Sequence, residues 1–223
     1  MGTITRTFAN NITTSGVFKP TAFNNASFDN VTAVPSGSLP AGGNMVLLST
    51  QTASASASIS FTTGIDSTYK EYMFIFNNIH PSAEPNIFSF QASTDGGSSY
   101  GITTTSSFFE AYHNETGTDA FLRYEDGNDQ AQSTSYQKLN AFIGSADDEC
   151  CSGYLHLFNP SSTTYVKHYM SNISTYNYND PNYAVNSFVS GYFNSTSAIN
   201  AIDFKLVSSG NIDDGTIQMF GIL

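Results

Sequence analysis

The chain has 223 residues and a formal net charge of −11, with 11% charged residues and 14% aromatic ones (13 Tyr, 18 Phe, no Trp). Its seven basic residues are scattered from Arg6 to Lys205. That excludes the basic patch of a nucleic-acid binder and the basic surface that docks on anionic lipid. Low charge with abundant Asn, Ser, Thr, Gly and aromatics suits strands and turns, and no sustained 3.6-residue apolar period runs through the sequence. The length allows one large β-domain with an extension, or two small domains.

Residues 1–45 read differently from the rest. The opening MGTITRTFANN lacks a basic n-region and an apolar core, so no signal peptide is expected. No apolar run anywhere approaches the ~20 residues of a membrane span. The apolar residues Phe8, Val17, Phe18, Phe23, Phe28, Val31 and Val34 are irregularly spaced, and VPSGSLPAGG at 34–43 reads as a linker. Fixing a residue costs on the order of 1 kcal/mol of backbone entropy, and a buried apolar side chain returns roughly 2 kcal/mol. So few side chains cannot order so long a segment. We expect an attachment arm that takes its rigidity from a foreign contact, with Phe8, Phe18, Phe23 and Phe28 as assembly contacts.

From 46 to 223 the strand signals are steady. Residues 45–50 form a short apolar run, and TASASASISF at 52–61 alternates small residues into one flat strand where a neighbour packs close. Residues 69–77 make the heaviest strand, with Tyr72, Phe74 and Phe76 on one side and Met73 and Ile75 on the other, the pattern of a central strand. Residues 87–94 follow with Phe88, Phe90 and Ala92 inward, ending at Asp95-Gly96-Gly97, a hairpin signal. Further strands are expected over 104–112, 120–124, 139–143, 153–158, 164–170 and 187–193. Near the end, Ile202, Phe204 and Leu206 alternate with Asp203 and Lys205, one face apolar and one wet. Residues 211–215 (NIDDG) read as a turn into a last strand with Ile217 and Met219. Short strands with turn signals every 8–15 residues give an all-β chain, an antiparallel β-sandwich or jelly roll with an extended N-terminal arm.

Chemistry is harder to find. GSSYG at 97–101 matches G-x-S-x-G, but a turn precedes it and ITTTSS follows, which starts no helix. STDGGSSY at 93–100 resembles an Asp-box hairpin and occurs once; Asp95 capping its own turn suffices. Glu125, Asp126, Asp129, Asp147, Asp148, Glu149, Asp213 and Asp214 read as solvated turn residues, without the spacing of an EF-hand calcium loop. His80, His113, His156 and His168 show no metal-ligand spacing. Adjacent Cys150 and Cys151 read as reduced thiols on opposite faces of a strand. The six Asn-x-Ser/Thr sites are expected by chance in such a composition. No catalytic, cofactor or metal residue is expected. Tyr176, Tyr178 and Tyr183 sit among Asn residues in a tyrosine-rich stretch, which suits packing first and surface recognition of sugar or protein second.

Four blocks carry a resemblance: MGTITRTFANNITTSG, LLSTQTASASASISFTTGIDSTYKEYMFIFNNIHP, GYLHLFNPSSTTYVKHYMS and DDGTIQMFGIL. Together they resemble virion structural proteins of marine tailed bacteriophages, of the cyanophage and pelagiphage type. The resemblance implies a non-enzymatic, β-rich particle component with an N-terminal mount, made in the host cytoplasm and built into the virion. It carries no catalytic motif. By analogy with phage appendages it implies a homotrimer. The partners it implies are other virion proteins of tail or capsid and, for a tail fibre or adhesin, a host surface glycan or receptor. The alternatives are a capsid decoration protein and, less favoured, a glycan depolymerase.

Overall fold

The structure, a computed structural model, describes residues 45–177 and 182–223. Phe8, Phe18, Phe23, Phe28 and the rest of 1–44 lie outside the described residues, as does Tyr178. The first six strands are β1 (Met45–Thr52), β2 (Ile59–Phe61), β3 (Glu71–Pro81), β4 (Phe88–Ser93), β5 (Thr104–Asn114) and β6 (Ala120–Tyr124). Six more follow: β7 (Gln137–Lys138), β8 (Cys151–Phe158), β9 (Lys167–Asn177), β10 (Tyr183–Phe193), β11 (Ala201–Leu206) and β12 (Ile212–Ile222). No helix occurs among the described residues. The strands form an eight-stranded sheet in the order β1-β12-β3-β8-β9-β10-β5-β6 and a four-stranded sheet in the order β2-β11-β4-β7. All pairings between these strands are antiparallel, and the expected all-β sandwich is what the chain builds.

The core follows from side-chain alternation. Tyr72, Phe74 and Phe76 of β3 point inward and are fully buried, as do Phe88 and Phe90 of β4 and Phe204 of β11. Their rings meet across the two sheets: Phe76 stands edge-on to Phe88 at 5.1 Å and to Phe204 at 5.2 Å, and Phe90 edge-on to Tyr169 at 5.0 Å. Edge-to-face contacts of this kind add to the burial that holds the layers together.

The outer side of the four-stranded sheet departs from expectation. Asp203, read as wet, is 3% exposed, and all six residues of β4 are buried. The connections on either side of β5 and β6 roof this face. Gln91 donates Nε2–H bonds to the carbonyls of Ile102 (3.2 Å), Thr134 (3.2 Å) and Ser135 (3.0 Å). Asp203 accepts from Ser60 at 2.5 Å and from the Tyr136 hydroxyl at 2.9 Å, while the Lys205 ammonium lies 3.8 Å from the Tyr136 ring centroid. A buried carboxylate is tolerated only with such partners.

Other boundaries differ from expectation for local reasons. The Asp95 turn is no hairpin: β4 belongs to the short sheet and β5 to the long one, so the turn carries the chain between layers. Residues 211–215 are not the final turn. The chain bends over 207–210, and β12 absorbs two irregularities between Ile212 and Thr216. Gly215 at φ +116° permits this, because a Cβ there would lie 2.6 Å from the Asn78 carbonyl oxygen. Residues 139–143 form no strand. They are tied through Leu139 N–H to Phe88 O (2.9 Å) and Ile143 N–H to Asn86 O (2.8 Å) beside the two-residue β7. The small-residue run at 52–61 breaks rather than staying flat. Ala55 takes φ +48° and Ser56 makes a lone bridge to Ile212 before β2 begins.

Candidate functional site

The unequal sheets create the site. β7, the edge of the short sheet, reaches the long sheet where Gln137 accepts a hydrogen bond from Ser106 of β5 at 2.6 Å. Beyond it the inner face of β5, β6 and the start of β10 overhangs. The turn at 126–129 and the segment at 139–142 wall the gap into an open cavity of about 610 Å³. Small-molecule sites commonly span ~300–1,000 Å³.

Alternation on β5 and register to β6 set its floor. Glu110 and Tyr112 point inward on β5, opposite Arg123 and Phe121 of β6. Tyr112 stacks on Phe121 at 4.8 Å and meets Tyr183 of β10 edge-on at 6.2 Å. Arg123 sets its guanidinium carbon 4.9 Å from the Tyr112 ring centroid, donates to the Tyr112 hydroxyl at 2.6 Å, and pairs with Glu125 at 2.6 Å and Glu110 at 3.5 Å. Lys138 on the opposite wall donates to Gly127 O (2.8 Å) and Asn128 Oδ1 (3.0 Å), fixing the turn.

Glu110 is the unusual member. Its side chain is 1% exposed, Oε2 accepts from the Tyr112 hydroxyl, and Oε1 is buried without a hydrogen-bond partner. Burial raises its carboxyl pKa, against the opposing pull of Tyr112 and Arg123. Burial likewise raises the Tyr112 phenol, and the Glu110 carboxylate adds to the shift. What the cavity presents to a ligand is the exposed Phe121 ring and the half-exposed Arg123 guanidinium, which suit a ligand offering hydroxyls and an apolar face.

The two described tyrosines of the expected recognition set fall on opposite faces of the long sheet. Tyr176 lies on β9 and Tyr183 on β10, and both are half-buried. Tyr183 faces the cavity, its hydroxyl 3.3 Å from Asp119 Oδ2. Tyr176 pairs with Ala184 on the opposite face and accepts from Asn182 at 2.5 Å. Reasoning from the sequence passes over Glu110, Arg123 and Phe121. The available signal is a Glu in phase with inward Phe108 and Tyr112, where a strand with one buried face would put an apolar residue.

The remaining candidates are structural in their contacts. Asp95 caps its own turn, accepting from Ser93 (2.6 Å) and from Ser99 Oγ (2.5 Å) and N–H (3.0 Å), so Ser99 is a turn donor. Asp147, Asp148, Asp213 and Asp214 gather with His80 and Cys150 around a second open cleft. Among the described residues no group of three or more His, Cys, Asp or Glu is placed to hold a metal ion. Cys150 and Cys151 are both free thiols, and burial raises both pKa values. His156 lies between Tyr154 and Phe158, and His168 against Tyr192. Among the described residues no helix is long and apolar enough to cross a membrane.

The fold and this site define an all-β sandwich with a pocket at its overhanging edge. Compared with protein-family models, curated proteins and solved structures, the chain matches none of them.

Proposed function

We propose that this chain is a non-enzymatic structural protein of a tailed-phage virion, a tail-associated fibre or adhesin component that engages a host surface glycan through the β5–β6 cavity. The observation that carries the recognition role is the open cavity floored by the Tyr112–Phe121 stack, with Phe121 and the Arg123 guanidinium both exposed to it. The four-block resemblance supports the virion setting, with residues 1–45 as the mount. Titrating the protein with surface polysaccharide from a susceptible host tests the recognition role. Phe121, 43% exposed, is not a core residue, so Phe121→Ala is expected to weaken binding at least tenfold while leaving the sandwich folded. No binding by the wild type, or equal binding by the variant, rejects it. Alanine at Phe8, Phe18, Phe23 and Phe28 is expected to abolish incorporation into particles. Particle imaging decides between tail and the alternative, a decoration protein on the capsid.

A glycan depolymerase is the second reading, favoured by one observation: Glu110, with its raised pKa, and Glu125 both reach the same Arg123 nitrogen. Glycosidases pair a protonated carboxyl with an ionised one across the sugar. Here a guanidinium stands between the two carboxylates, which weighs against it. Turnover of host polysaccharide, lost in Glu110→Gln, would establish this reading instead.

A further inference from the structure

The long sheet has a second face, turned away from the core, and its make-up is unlike the rest of the chain. Register runs two cross-strand rows over it. One passes Leu47, Phe220, Met73, His156 and Met170; the other passes Ile75, Tyr154, Asn172, Phe188, Phe109 and Tyr124. Met170 is 55% exposed and Tyr154 43%, and Phe109 stacks flat on Phe188 at 4.8 Å. Flanking rows hold Ser, Thr, Asn, Ala, further apolar residues and two histidines, His168 and His113. Outward carboxylates on these eight strands keep to the ends of the face, Glu71 at one end and Asp213 and Asp214 at the other beyond the irregularities of β12, while Glu110 of β5 points to the opposite side, toward the cavity. Between them the outward-facing residues include no Lys, Arg, Asp or Glu. In the middle of the first row, His156 Nε2 is shielded from solvent without a hydrogen-bond partner.

We infer that this face packs against the same face of a second copy of the chain. Charge selects the occupant. Each copy carries −11, so two copies repel through most of their surfaces. The middle of the sheet face is where they can meet without burying a row of carboxylates. A partner of opposite sign would find nothing there to attract it. Strands ~4.8 Å apart and rows ~6.8 Å apart give this central part an area on the order of 800 Å², the share each partner contributes to a standard interface. Two such faces stack about 10 Å apart, as sheets do in a sandwich. A self-packed face is isologous and joins copies in twos, a different arrangement from the homotrimer that the resemblance implies.

Sedimentation equilibrium of the full chain tests this. The wild type is expected to associate at micromolar concentration, more tightly as salt rises from about 20 to about 300 mM, because screening relieves repulsion between like-charged copies. Met170→Glu and Tyr154→Glu, at exposed positions, should each raise the dissociation constant at least tenfold. Thr163→Glu, exposed and outside the sheets, should leave it unchanged. A wild type that stays monomeric at about 100 µM, where standard-size interfaces associate, overturns the inference. So does an oligomer indifferent to both face substitutions, or one that dissociates as salt is added.

Discussion

Gly191 of β10 and Tyr169 of β9 stand directly opposite in register, and the phenol of Tyr169 occupies the space where a Gly191 side chain would go. A Cβ on Gly191 would lie 2.5 Å from the Tyr169 hydroxyl and 2.7 Å from the Thr105 carbonyl oxygen. The same hydroxyl bonds Thr104 at 2.9 Å, and the ring meets Phe90 and Phe193, so Tyr169 has nowhere to retreat. Gly191→Ala is therefore expected to cost about 2–3 kcal/mol through overpacking. Urea unfolding should show a lower midpoint at unchanged slope.

The roof over the short sheet depends on the Tyr136–Asp203 hydrogen bond. Tyr136→Phe keeps the ring under Lys205 and leaves Asp203 Oδ2 without that donor in a buried setting. A loss of about 1–3 kcal/mol is expected, the desolvation penalty of an unpaired acceptor. Removing the acceptor as well, in Tyr136→Phe with Asp203→Ala, should cost less than the sum of the single changes.

Asp95 links stability to acid. Hydrogen bonds from Ser93, then Ser99, hold its carboxyl at about 2, below the ordinary 3.8. A depressed folded value means a contribution present in full above the unfolded pKa and lost as pH falls through about 2. The stability gap between wild type and Asp95→Asn should hold steady above about pH 5 and close between about pH 4 and pH 2.

Glu110 acts in the opposite sense. Its carboxyl is raised above 4.5 by burial, so the folded state holds the proton longer than the unfolded chain does. Stability from this group is present below the unfolded pKa and falls as pH climbs through the folded one. Glu110→Gln should flatten that decline. Measuring unfolding midpoints for both proteins from about pH 4 to pH 8 checks it, and a wild type as flat as the variant would show that the carboxyl is not raised.

The sandwich was legible because period-2 alternation survives in β3, β4, β11 and β12, where Phe74, Phe90, Phe204 and Met219 face the core. What stayed hidden was the company kept by the other face. Asp203 and Lys205 alternate like any wet edge, and no local signal shows that Tyr136, 67 residues away, closes over Asp203. The site was half legible. Tyr183 stands out by composition, but the carboxyl and guanidinium at the centre come together only through the β5–β6 register. Asp95-Gly96-Gly97 carried a correct turn and a misleading topology. Turn chemistry fixes a reversal and is silent on which layer receives the next strand.

Gln91 grips its three partners by their main-chain oxygens rather than by any side chain. Every residue type presents that same oxygen, so the clasp is indifferent to which amino acids occupy positions 102, 134 and 135. Substitutions at Thr134 and Ser135 therefore leave the roof fastened, while the neighbouring edge strand β7 of the sheet beneath brings Lys138 to the cavity wall.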